Sequence, residues 1–182
     1  MATAPLGRCP LTGGRRTLLV APRARDAGLV CDYCGCQDLD AIAELTAEHD
    51  VVVTLSGQVR RALRDGDLDL AADGVRAVVA VLRLHTAVEE GALFPAMVED
   101  FGDHVARLVD EHRQIEQVLA ESADCTPGDP FWPRRLEQAL VMLREHIIKE
   151  QDGVFPAALA TLSAAQWDQV EEARARMSPL LR

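Results

Sequence analysis

The sequence predicts an all-α fold, an up-down-up-down four-helix bundle with a short extra C-terminal helix and an irregular N-terminal arm. Three observations carry that expectation. Apolar residues make up 48% of the 182 residues and aromatics only 4%, so the core must come from Leu, Val, Ala and Ile, a mix that favours helices. Core-type residues recur at alternating spacings of three and four in four successive segments, as expected for helices crossing at shallow angles. Turn-forming residues separate those segments.

Residues 1–37 hold Pro, Gly and Arg without a helical period and are expected to form a flexible, basic arm, leaving 38–182 to the bundle. The first helix places Ile42, Leu45, His49, Val52, Ser56, Val59 and Leu63 on one face, and Arg64-Asp65-Gly66-Asp67 supplies a turn. The second carries Val75, Val78, Leu82, His85, Glu89 and Ala92. Phe94-Pro95 is expected to end it, because proline removes a helical hydrogen bond. A break from Asp100 to Asp103 precedes the third helix, with Val105, Leu108, His112, Ile115 and Leu119. The loop Asp124 to Pro133 ends in Phe131-Trp132-Pro133, a helix start. The fourth helix carries Leu136, Ala139, Leu143, His146 and Glu150, with Phe155-Pro156 as a second terminator. Ser163-Ala164-Ala165-Gln166 has the form of a capping box and opens the last helix, with Trp167, Val170 and Ala173 or Arg174 covering one end of the bundle.

The chemistry lies in a pattern that occurs twice. His85-x3-Glu89 is followed by Phe94-Pro95, and His146-x3-Glu150 by Phe155-Pro156. Each copy follows a Glu-His pair, Glu48-His49 and Glu111-His112, at His-to-His separations of 36 and 34 residues. A histidine and a glutamate four apart share a helical face. All six residues fall on the apolar seams, where unpartnered polar groups would cost several kcal/mol each. Metal ions account for that placement; a buried network of His–Glu pairs, titrating near neutral pH, is the alternative.

Four imidazoles and two carboxylates exceed one tetrahedral zinc and are too rich in nitrogen for calcium or magnesium. Shared between two ions, they give each two histidines and an oxygen from each of two bridging glutamates. That set suits two Fe ions, with Mn second, and leaves room for a diatomic molecule or peroxide. Histidine dominates over carboxylate here, which disfavours very high oxidation states.

Glu48-His49, His85-x3-Glu89-Glu90 with Leu93-Phe94-Pro95, Glu111-His112 and His146-x3-Glu150 with Phe155-Pro156 together resemble the hemerythrin-like, HHE cation-binding family. The resemblance covers about residues 38–160. It implies a hemerythrin-like four-helix bundle with a non-haem di-iron centre, His49, His85, His112 and His146 as terminal ligands, and Glu89 and Glu150 as bridges. The oxygen-carrying hemerythrins use two histidines four apart on the third helix. Here His112 is followed by Glu116, which argues against plain oxygen carriage. Glu116 is read as an added ligand, an outer partner of the site, or a surface residue, and His104 as a capping or solvent-facing residue.

The expected function is binding or sensing of oxygen, nitric oxide or peroxide, linked to redox or iron homeostasis. The alternative is a di-iron enzyme, either catalase-like or repairing iron–sulfur clusters. Cys31-Asp32-Tyr33-Cys34-Gly35-Cys36 bears on both. Cys31, Cys34 and Cys36 fit free thiols, a C-x-x-C redox pair, or an incomplete metal set completed by Cys9 or an acidic side chain. A family of iron-centre repair proteins, which this arrangement loosely resembles, also joins N-terminal cysteines to such a bundle. Cys125 lies alone in a loop and is expected to be inert.

The net charge of −10 argues against nucleic acid and anionic membranes as partners. Arg8, Arg15, Arg16, Arg23 and Arg25 face only Asp26 within residues 1–30, so the rest of the chain is more acidic still. The apolar run at residues 17–21 is shorter than a secretory core, and no stretch approaches a transmembrane length. A cytoplasmic protein is therefore expected, with Val30 as an alternative translational start.

Overall fold

A computed structural model describes residues 39–177, which form helices and short connections with no strand among them. Helix α1 spans Asp40–Arg64 and α2 Leu68–Val88. Between them Gly66 takes a left-handed φ of 74°, open to glycine at little cost, and Asp67 caps α2 by accepting from the Leu70 N–H at 3.0 Å. Helix α3 spans Phe94–Ala120, α4 Trp132–Lys149, α5 Phe155–Thr161 and α6 Ala164–Met177. Helix α1 packs along α2 and α3 along α4, with α1 also meeting α4 and α2 meeting α3.

The two Phe-Pro pairs do not end their helices. Each follows a π-helical turn, Glu89–Leu93 or Glu150–Val154, and the chain then continues as α-helix. The Phe94 and Phe155 N–H groups reach back five residues, to the carbonyls of Glu89 and Glu150. In an unbroken α-helix the rings of Pro95 and Pro156 would press on the carbonyls four residues earlier. One extra residue in the turn relieves that clash and preserves helical direction. It also shifts the buried stripe from the expected Ala92 to Leu93 and Phe94. The expected break at 100–103 is a kink, with Phe101 at φ −130° and ψ 25° inside α3.

Along α1 the stripe runs through Leu55 and Ala62 rather than Ser56 and Leu63, because the apolar Leu55 displaces its polar neighbour from the core. The core has two apolar parts. One includes Val59, Val78, Leu119, Trp132, Leu136 and Leu140. The other includes Ile42, Leu45, Phe94, Leu108, Phe155 and Trp167. The buried polar residues His49, His85, Glu89, His112, His146 and Glu150 form the layer between: His49 lies between Leu45 and Val52 on α1, and His112 between Leu108 and Ile115 on α3.

At Ser163 the Gln166 side chain accepts from the backbone N–H at 2.9 Å, the return bond of the expected capping box. Helix α6 buries Trp167, Val170 and Ala173 against α1, α2 and the first π turn. The loop between α3 and α4 is fastened by Arg76, which donates to the Ser122 carbonyl at 2.7 Å, and by Arg135, paired with Glu121 and Asp129. Among the described residues no helix is long and apolar enough to cross a membrane.

Candidate metal centre

Each main helix delivers one histidine to the polar layer, and each π turn begins with the glutamate that faces them. Glu89 and Glu150 are fully enclosed. The six side chains form two overlapping quartets: His49, His85, Glu89 and Glu150, and then Glu89, His112, His146 and Glu150. Within each, one ligand atom per residue lies within 4.8 Å of all the others. Both glutamates belong to both quartets, an arrangement fit for bridging two ions.

The tautomers point the same way. His112 Nδ1–H donates to Glu90 at 2.8 Å and His146 Nδ1–H to Glu111 at 2.9 Å. With those protons placed, both neutral rings present bare Nε2 lone pairs, and these face each other at 2.8 Å. Two lone pairs at that distance repel unless a cation, a proton or a metal ion, lies between them. Two nitrogens about 2.1 Å from one ion at a right angle would stand about 3.0 Å apart. In the other quartet His85 Nδ1–H donates to Glu48 at 3.1 Å, and the Nε2 atoms of His49 and His85 are 3.0 Å apart.

The glutamates complete the fit. Glu150 Oε1 lies 2.8 Å from His146 Nε2, and Glu150 Oε2 3.1 Å from His49 Nε2. Glu89 Oε2 lies 3.3 Å from His85 Nε2 and 3.5 Å from His112 Nε2. These are close ionic approaches, yet none of the four carboxylate oxygens has a well-directed hydrogen bond. Buried carboxylates without such bonds, facing four imidazole nitrogens, are a donor set able to hold metal.

The electrostatics without a metal are those of a cage that attracts cations. Burial works to lower the His146 pKa, but contacts with Glu150 and Glu111 outweigh it and raise the value to about 9. His85 is likewise raised, with Glu89 and Glu48 overcoming burial. Burial would raise Glu150, yet the close approaches of His146 and His49 hold it well below the usual carboxylate range. Glu111 is also lowered: burial opposes the shift, and Lys149 and His146 cause it.

Phe155 stacks on His49 at 5.7 Å between ring centroids and Phe94 on His112 at 5.8 Å, so the phenylalanines of the Phe-Pro pairs wall the site. Beside the four histidines lies a cavity of about 10 Å³, lined also by Leu82, Thr86, Ile115, Glu116, Leu143 and Ile147. Glu116 is exposed and outside both quartets, but it borders this cavity. His104 is exposed, and its Nδ1 accepts from Arg107 at 3.2 Å. Cys125 is a free, half-buried thiol. Cys31, Cys34, Cys36, the arm at 1–37 and the last residues, 178–182, lie outside the described residues.

Sequence reasoning assigned no role to Glu48, Glu90 or Glu111 as hydrogen-bond partners of the histidines. The signal was present in Glu48-His49 and Glu111-His112. A residue one step before a ligand points about 100° around the helix, and there it meets the histidine of the neighbouring helix. Lys149 in turn donates to Glu111 at 2.5 Å, and Arg174 of α6 to Glu48 at 2.6 Å.

Comparison with known proteins agrees with the site. A DNA nickase from Nostoc sp. (strain PCC 7120 / SAG 25.82 / UTEX 2576) is 26% identical over 89 residues, 48% of this chain but only 25% of that protein. This chain thus spans a minor part of the relative's length. No solved structure matches. The family model of the hemerythrin HHE cation binding domain matches residues 40–158, a span containing all six clustered side chains. The chain belongs to the hemerythrin HHE cation-binding family.

Proposed function

We propose that His49, His85, Glu89, His112, His146 and Glu150 hold two iron ions, with Glu89 and Glu150 bridging, and that the protein uses this centre to bind or sense oxygen, nitric oxide or peroxide. The observation that carries the reading is the pair of overlapping His/Glu quartets, within which the Nε2 atoms of His112 and His146 face each other across 2.8 Å. Iron bound there supplies one-electron redox chemistry and a position open to a small ligand. The surrounding residues orient the imidazoles through Glu48, Glu90 and Glu111, and the stacked phenylalanines limit water. The up-down-up-down order of helices, the division at residue 37 and a cytoplasmic location belong to the same reading. So does a redox or iron-homeostasis role involving Cys31, Cys34 and Cys36.

The cavity beside the histidines favours a small ligand. At about 10 Å³ it is near the least that holds one water, so it suits a diatomic ligand better than a larger substrate. The acidic balance of the chain argues against a nucleic-acid partner.

The purified protein should carry about two irons per chain. His85→Ala combined with His146→Ala should abolish the iron; iron retained in that variant would overturn the ligand assignment. Mixing the iron-loaded protein with peroxide separates the two functions. One stoichiometric spectral change supports sensing, whereas oxygen evolved over many turnovers would replace it with a catalase-like enzyme. Replacing Cys31, Cys34 and Cys36 with Ser should leave the iron content intact while abolishing a redox or repair function.

A further inference from the structure

The two quartets are not equally supported, and the difference has a simple origin in the repeat. His112 and His146 both rest on carboxylates, Glu90 and Glu111. His85 rests on Glu48, but among the described residues His49 Nδ1 is buried with no hydrogen-bond partner. The two copies explain it. His85-x3-Glu89-Glu90 aligns with His146-x3-Glu150-Gln151, so Gln151 stands where its counterpart has Glu90. The counterpart of the Glu90–His112 bond would run from residue 151 to His49, and there the chain has an amide in place of a carboxylate.

A carboxylate behind an imidazole fixes the tautomer, holds the ring and strengthens the opposite nitrogen as a donor to metal. Loss of one such partner typically weakens metal binding by about 10–100-fold. We propose that the two metal positions are unequal: the ion at His112 and His146 is held tightly, the ion at His49 and His85 is readily exchanged, and the difference is set by Glu90 against Gln151. This rests on the di-metal reading above. It adds an order of loading and release: the first ion enters between His112 and His146, and the His49–His85 position fills last and empties first.

The test is an anaerobic titration of the metal-free full chain with Fe(II), and separately with Co(II), followed by release to a chelator. Two phases separated by about 10–100-fold in affinity are expected. Glu90→Gln should weaken the tight phase by about tenfold and leave the capacity unchanged. Glu90 is 40% exposed, so the substitution should be tolerated by the fold. Gln151→Glu should tighten the weak phase and bring the two together. His49→Ala should remove only the weak phase and His146→Ala the tight one. Two equal equivalents, or a Glu90→Gln effect confined to the weak phase, would overturn the inequality while leaving the di-metal centre in place. No metal uptake at all would overturn both.

Discussion

Arg174 links the last helix to the histidine cluster through Glu48, and replacing it tests how α6 contributes. Its Nη2 donates to Glu48 Oε1 at 2.6 Å, its Nε donates to Glu44, and Glu48 in turn accepts from His85. The Arg174 and Glu48 side chains are 12% and 17% exposed, so this pair is largely shielded from water, whereas Glu44 is 55% exposed. A hydrogen bond to a charged group in such a setting contributes about 1.5–3 kcal/mol, and the exposed Glu44 pair adds at most about 1 kcal/mol. Arg174→Met keeps the apolar stem and removes the charge, so about 2–3 kcal/mol of stability should be lost. For a chain of this length that corresponds to a fall in Tm of about 4–12 °C. Thermal unfolding of the metal-loaded protein followed by circular dichroism measures it. A Tm within about 1 °C of the unaltered protein would refute the argument, because α6 would then dock by Trp167 and Val170 alone.

Other perturbations separate the parts of the molecule. Trp132→Ala, at a fully buried ring in the apolar part remote from α6, should cost about 3–5 kcal/mol in urea unfolding with the number of bound metals unchanged. Asp67→Ala should remove the α2 cap and lower stability by about 1 kcal/mol, read from the same unfolding curves. In metal-free protein His146 titrates near 9 when folded against about 6.5 when unfolded, so its stabilising effect is complete below about 6.5 and disappears as pH rises through 9. The urea midpoint with chelator present should therefore be lower at pH 9.5 than at pH 6. Metal-free protein equally stable at both would show that a proton does not take the cation's place.

The seam positions of α3 and α4 were readable because most apolar residues at the three-and-four spacing stand beside a charged residue that stays outside: Val105, Leu108, Ile115, Leu136 and Leu143 are all buried as expected. On α1 the three-and-four spacing admits either of two adjacent residues, Leu55 and Ser56, and the apolar one takes the core. The six clustered side chains were legible for the same reason, since four histidines on apolar faces have few physical explanations. The π turns were not. A Phe-Pro pair is compatible with a helix end or with a widened turn, and the choice depends on whether Phe94 and Phe155 find cover against His112 and His49. Arg174 was unreadable as a partner of the site, because its contact with Glu48 spans 126 residues and exists only once α6 has docked.

The polar layer between two apolar cores also has a consequence for cooperativity. Hydrophobic contact couples the two ends weakly across a band of imidazoles and carboxylates; the two ions proposed above, ligated from four helices, would couple them strongly. With metal bound, the bundle is expected to behave as one cooperative unit, its backbone amides on both sides exchanging with solvent only through global opening. With metal removed, the end built on Phe94, Phe155 and α6 is expected to open independently of the end around Trp132. Hydrogen exchange along α1 would then divide at His49, and the gain or loss of iron would be expressed as order or looseness at the surface formed by α5 and α6.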